Sequence, residues 1–242
     1  MKLLALVLAS TLCGLPLRSA DRLFAIDPGH GGSAPSGSMR EFTLSSPNNA
    51  HTPSGVLEKV LTLEMSQDIA SALVRLGKQS GQSVQVILTR SGDENPDFGE
   101  RARRCMGSGI PPECIVSIHF NASESHAARG VVGMIPSGHN SQTDKDRELA
   151  VRLSAACASA VSRFLPGTKA REPITDAHLH SGKGSNFFYQ LDRISQLKTV
   201  PRCFLEIEFI DRADVEGNLI KRKSESFPAI AEMIATALLE RK

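Results

Sequence analysis

Tryptophan is absent from this chain of 242 residues, tyrosine occurs once, and ten phenylalanines supply the remaining aromatic content. Stacking platforms for sugars or bases are therefore scarce, which argues against a dedicated carbohydrate-binding module or a single-strand nucleic-acid binder. A membrane span is lacking too: the apolar run at 3–12 is too short and is broken by Gly14 and Pro16. With Lys2 before that run and Ser19-Ala20 after it, residues 1–20 read as a secretory signal peptide cleaved after Ala20. A lipid anchor on Cys13 is disfavoured, because Leu12 is bulky where a lipidation signal has a small residue. Removal of 1–20 takes Lys2 and Arg18 and no acid, so Lys+Arg falls from 28 to 26 against 26 Asp+Glu. The mature chain is formally neutral and has no electrostatic footprint for nucleic acid.

Cysteine is sparse. Four remain after cleavage, Cys105, Cys114, Cys157 and Cys203, with no CxxC pair to make a zinc knuckle. An even count in an exported chain permits two disulfides, and Cys105–Cys114 is the easiest local bridge. Buried free thiols are the alternative for Cys157 and Cys203.

What is present is a regular alternation of strands and helices, in a chain whose 40% hydrophobic content suits one substantial core. Leu23-Phe24-Ala25-Ile26 predicts a buried strand that ends in the sharp turn Asp27-Pro28-Gly29-His30-Gly31-Gly32. Residues 33–54 follow as a long loop rich in Ser, Pro, Asn and Gly. Leu57, Leu61, Met65, Ile69, Leu73 and Leu76 predict a helix over 55–77, with Ser54 available as its cap and Gly77 as its stop. Further strands are expected at 84–89, 114–118, 130–135, 186–191 and 203–210, and further helices at 96–106, 144–164 and 227–239. The pattern is that of a single α/β domain over 21–242, with a mainly parallel (mixed) sheet and helices on both faces.

Three of these strands end in residues of ligand or catalytic type: His30, His119, and the pair Glu206 and Glu208. In a largely parallel sheet such ends converge on one edge, where open α/β sheets place their ligands. Glu58, in the first turn of the following helix, reaches the same edge; Glu64 lies about 120° further round and does not. Two histidines and one carboxylate make a zinc set with the fourth position left to water, and a further glutamate would move that water's proton.

Beyond these residues, the motifs Asp27-Pro28-Gly29-His30-Gly31-Gly32, Leu57-Glu58-Lys59, Leu88-Thr89-Arg90, Glu100-Arg101, Ser117-Ile118-His119-Phe120-Asn121-Ala122 and Leu205-Glu206-Ile207-Glu208-Phe209-Ile210 occur together. In this order they resemble the zinc-dependent N-acetylmuramoyl-L-alanine amidases, over nearly the whole mature chain. The resemblance implies that His30, Glu58 and His119 bind Zn2+ and that Glu206 is the catalytic carboxylate, with Phe209 at the family's aromatic position. Glu208 stands where the family has a small residue and, in a regular strand, points the same way as Glu206; it is the rival for that role. Two departures bear on substrate preference: the link from His30 to Glu58 is the long segment 33–54, and the customary Ser-Asn after the last strand is Asp211-Arg212.

The implied reaction is hydrolysis of the amide between N-acetylmuramic acid and L-alanine in peptidoglycan. It fits export to the periplasm or cell wall. The expected partner is the peptidoglycan substrate, the chain is expected to be a monomer, and 33–54 is a lid, a docking place for an activator protein or a disordered stretch. Another secreted zinc hydrolase, such as a carboxypeptidase, shares the ligand logic but needs a cationic pocket that the sequence does not reveal. A non-catalytic wall-binding protein is disfavoured because every ligand is in place. Of the other histidines, His178 and His180 alternate like a metal pair, although three ligands already fill the site. His51, His126 and His139 are expected in solvated loops, with His51 and His126 able to line the cleft. Arg90 is expected in a structural ion pair.

Overall fold

The first strand, β1 (Arg22–Pro28), is buried at every position, as a strand covered on both faces must be. The computed structural model describes residues 22–33, 50–107, 109–138 and 143–240. Residues 1–20, expected to be a signal peptide, most of the 33–54 loop and His139 lie outside the described residues. After β1 come α1 (Glu58–Gln79), β2 (Val84–Leu88), α2 (Phe98–Arg104), β3 (Ile115–Asn121), β4 (Val132–Ile135), α3 (Thr143–Val161) and β5 (Ile174–Thr175). The chain continues through α4 (Asn186–Asp192), β6 (Arg202–Phe209), α5 (Ala213–Val215) with its π-helical extension Glu216–Ile220, and α6 (Lys223–Leu239).

The strands form one sheet in the order β2-β1-β3-β6-β4-β5. β1 runs parallel to β2 and β3, and β3 runs parallel to β6. β4 is antiparallel to β6 and parallel to β5. This is the mainly parallel, mixed α/β class that the alternation of elements predicts. One face of the sheet is covered by α1, α3 and α6, where Leu61, Met65, Ile69 and Leu73 of α1 pack with Ile26, Val116 and Leu205 of the strands. The four α1 side chains recur at four-residue spacing, so the helix presents one continuous stripe, and each contributes about 1.5–3 kcal/mol by burial. The other face is covered by α2 and α4, through Ala102 and through Phe187, Phe188 and Leu191.

Several boundaries differ from the sequence pattern for identifiable reasons. Helix α1 starts at Glu58 with Leu57 in the capping position, and Ser54 instead donates from both its N–H and its hydroxyl to Glu216. Gly77 does not stop α1; the helix runs on to Gln79, and the glycine leaves room for Val84, whose Cγ2 would lie 2.3 Å from an added Cβ. Residues 186–191 are helix α4 rather than a strand. A short apolar run fits both periods, and here Phe187, Phe188 and Leu191 share one helical face. All four cysteines are free and buried. Cys105 packs with α4 while Cys114 belongs to the core on the opposite face, so the sheet lies between them and the local bridge does not form. Burial pushes all four thiols up, which leaves them poor nucleophiles.

Candidate active site

The turn after β1 is built around absent side chains. A Cβ on Gly29 would stand 2.4 Å from Cε1 of the His119 ring, and one on Gly31 would stand 2.2 Å from the Glu94 carbonyl oxygen. His30 itself adopts a left-handed conformation, with φ 58°, which costs an L-residue free energy unless its surroundings hold it. Arg101 holds it: its guanidinium donates to the His30 carbonyl at 2.5 Å and to the Pro28 carbonyl at 2.9 Å. Arg90 donates to the carbonyls of Pro28, Gly29 and Lys59 at 3.0, 2.9 and 2.7 Å. Asp27 lies beneath both, accepting from Arg101 at 2.9 Å, from the Ser117 hydroxyl at 2.6 Å, and from the Thr89 hydroxyl.

On this support His30, Glu58 and His119 converge, with one ligand atom from each inside a 4.8 Å span. Glu58 Oε2 is 3.0 Å from His30 Nε2, and Oε1 is 3.1 Å from His119 Nδ1. The same carboxylate accepts the N–H of Phe120 at 2.9 Å and that of Ala50 at 3.2 Å, which fixes its plane. Burial works against its charge, yet the facing His30 and His119 hold it well below the usual carboxylate range. His119 is pushed the other way: burial lowers it, but the bond to Glu58 raises it above its ordinary value. Gly29→Ala is expected to displace the His119 ring and weaken metal binding by about 10–100-fold, the usual scale for a disturbed ligand support, read by competition against a chelator.

Glu206 sits beside His119, its register partner across β3 and β6. Its Oε2 is buried and has no hydrogen-bond partner among the described residues. Burial pushes the carboxyl up to about 7, against the pull of His119 and with an added push from Glu58. A group poised near neutrality suits proton transfer in both directions. Glu208 does not share this position. Between the pairs His119–Glu206 and Asn121–Phe209 the register shifts by one residue, a bulge that breaks the alternation of side chains. Glu208 is fully buried, accepting the Gly130 N–H at 2.5 Å and the Thr168 hydroxyl at 3.0 Å, with Arg129 3.9 Å away.

These groups open into a cavity of about 310 Å³ whose apolar lining is made by Phe98, Met134, Leu179 and Phe204, with the buried Ser185 beside them. Asp176 fixes that lining by accepting the N–H of Ser137 at 2.7 Å and of Ser185 at 2.6 Å. The sequence pattern did not single these residues out, because they come from separate elements; only Phe204, two residues before Glu206 on one strand, had a local signal. His51 and His126 are exposed and do not line the cavity; His126 bonds Asp211 at 2.6 Å. Arg90 is structural, but it serves backbone carbonyls and the Thr62 hydroxyl and is in no ion pair among the described residues. Glu64 pairs with Lys223, away from the site. The side chains of His178 and His180 lie outside the described residues.

Two imidazoles and a carboxylate beside a further buried carboxyl, on the carboxyl edge of an open α/β sheet, are the donor set of a metal-dependent hydrolase. The chain belongs to the N-acetylmuramoyl-L-alanine amidase family, whose pattern matches residues 24–240. It is accordingly a peptidoglycan amidase. A search of the curated proteins finds no match. Among solved structures, AmiC2 of Nostoc punctiforme is 21% identical over 91% of this chain and 97% of its own, with TM-score 0.61. Ami1 from Mycobacterium smegmatis is 18% identical over 90% and 95%, with TM-score 0.63. The CwlD amidase from Clostridioides difficile, solved in complex with the GerS lipoprotein, is 21% identical over 90% and 96%, with TM-score 0.57. No described helix is long and apolar enough to cross a membrane.

Proposed function

We propose that this amidase cleaves the bond between the lactyl group of N-acetylmuramic acid and L-alanine with the help of a zinc ion held by His30, Glu58 and His119. The donor chemistry fits: two imidazoles and one carboxylate, with ligand atoms within 4.8 Å, match the ligand number and type of a catalytic zinc site. Bound there, zinc supplies Lewis-acid polarisation of a carbonyl and lowers the pKa of water. Glu206 takes the proton that the attacking water releases and delivers it to the departing amine of L-alanine. Glu58, braced by two backbone N–H groups, keeps both rings oriented. The wall of Phe98, Met134 and Phe204 limits water around the scissile amide.

The observation that carries this reading is the unpartnered, protonatable Glu206 carboxyl beside His119. Mass spectrometry of purified peptidoglycan digested by the zinc-loaded protein is the test. Stem peptides with a free N-terminal L-alanine support the reading, whereas loss of C-terminal residues alone would make the protein a carboxypeptidase. Treatment with a strong chelator is expected to lower activity at least about 100-fold, with recovery on adding zinc and none on adding magnesium, which prefers oxygen ligands. Export with 1–20 as leader belongs to the same proposal, because the substrate lies outside the bacterial inner membrane. So does a partner protein acting on this chain, by analogy with the CwlD–GerS complex.

A further inference from the structure

A second cavity of about 540 Å³ lies between α2 and α4 and is lined by Asp97, Arg103, Asn186, Gln190 and Arg193. It stands on the other side of the wall of the catalytic cavity. Phe98 and Ser185 line the catalytic cavity, and their chain neighbours Asp97, Gly99 and Asn186 line the groove.

The groove's lining carries two guanidiniums, Arg103 and Arg193, against one carboxylate, Asp97, and is positive on balance. Arg103 and Arg193 are both exposed, and neither is in an ion pair among the described residues. The nearby acids are committed elsewhere. Asp97 caps α2 by accepting the Glu100 N–H at 2.7 Å, Glu100 pairs with Arg104 at 2.5 Å, and Asp192 pairs with Arg202 at 3.1 Å. Beside Gly99 the Asp97 carboxylate, Arg103 Nη1 and Gln190 Oε1 come together, 3.2, 3.5 and 3.6 Å from where a Cβ would stand. The Arg193 guanidinium lies 5.8 Å from the ring centre of Tyr189, the only tyrosine and 56% exposed.

We propose that this groove is a substrate subsite in which Arg103 and Arg193 bind the free carboxylates of the stem peptide. The inference rests on the amidase reading above. The two halves of that substrate differ in charge. The N-acetylhexosamine glycan is neutral, and the peptide leaving on the amine side bears carboxylates. A planar guanidinium matches a carboxylate with two parallel N–H donors, so two arginines without ion-pair partners, beyond the Phe98 and Ser185 side of the catalytic cavity, select the peptide half. The groove thus sets the direction of binding: peptide towards α2 and α4, glycan towards the opposite rim.

The test compares two soluble substrates, N-acetylmuramoyl-L-alanine amide, which has no peptide carboxylate, and an N-acetylmuramoyl tripeptide with free carboxylates. For the zinc-loaded Arg103→Ala/Arg193→Ala protein, the kcat/KM preference for the acidic substrate is expected to fall about tenfold, through KM, since each exposed pair contributes a few-fold. Arg103→Lys/Arg193→Lys should restore much of it. In the wild type the preference should shrink as ionic strength rises, because exposed charge pairs are screened. A merely structural role for these arginines would show no such salt dependence. Cleavage of both substrates with an unchanged ratio overturns the subsite and leaves the amidase intact, even if the double variant binds a phosphodiester wall polymer less well. Cleavage of neither substrate by the wild type overturns both readings.

Discussion

Glu206→Gln is expected to lower kcat by about 1,000-fold while leaving zinc content and melting temperature close to those of the parent. Positioned acid–base groups contribute about 10²–10⁴ in rate, and glutamine keeps the shape while removing the ability to carry the proton. The substitution should not unfold the protein, since Oε2 of Glu206 has no partner to lose and a neutral amide suffers less from burial than a carboxylate. Glu208→Gln is the matched control. Its carboxylate accepts the Gly130 N–H and the Thr168 hydroxyl and faces Arg129, so an amide must reverse the Thr168 bond and gives up both the charge-assisted bonds and the counter-charge. A loss of about 1–3 kcal/mol of stability is expected there, with kcat changed by less than about threefold under conditions where the protein stays folded. Steady-state kinetics, zinc analysis and thermal melting on both variants separate the two roles. Retention of more than about a tenth of the parental kcat by Glu206→Gln would remove it as the proton carrier.

The contrast between these glutamates shows where sequence reasoning reached and where it stopped. His30, Glu58, His119 and Glu206 were legible because each stands at a strand end or a helix start, and a parallel sheet places such ends together. The glycines around His30 were legible as a turn, but their purpose was not. Gly29 is small because of the His119 ring, which arrives from ninety residues further along the chain. Glu208 stood as a rival to Glu206 because the sequence shows alternation and not the bulge that interrupts it. The apolar wall was hidden for a similar reason. Met134 reaches the site only because β4 enters the sheet antiparallel beside β6, and Leu179 and Ser185 arrive on connections with no periodic signal. Arg90 shows a third limit: the sequence supplies a cation but cannot say whether carboxylates or carbonyls receive it.

Asp27→Ala is expected to cost about 3–5 kcal/mol, the scale for stranding a buried charge by removing its partner. Asp27 and Arg101 are each almost fully buried and 2.9 Å apart. Without the carboxylate, Arg101 keeps the carbonyls of Pro28, His30 and Pro96 but loses its counter-charge. Arg90 worsens the position: burial and the neighbouring Arg101 already push it down to about 10, with Asp27 opposing that shift. Two adjacent guanidiniums would then share one low-dielectric site. For a domain of this size the melting temperature should fall on the order of 10 °C. The acid side of the stability curve carries a second signature. Burial opposes the charge on Asp27, but Arg101, Ser117 and Thr89 overcome it and hold the pKa below its ordinary value. The unfolded chain therefore binds the proton first as pH falls, so this carboxylate's contribution is whole above about pH 4 and disappears as pH drops through the folded value. Asp27→Asn, which keeps the shape and removes the titration, should flatten that acid limb. Because Arg101 also grips the carbonyl that holds His30 in its left-handed conformation, zinc affinity should drop together with stability. An Asp27→Ala protein that melts within about 2 °C of the parent, less than a 1 kcal/mol change would produce, would show that Asp27 is not the anchor of the turn.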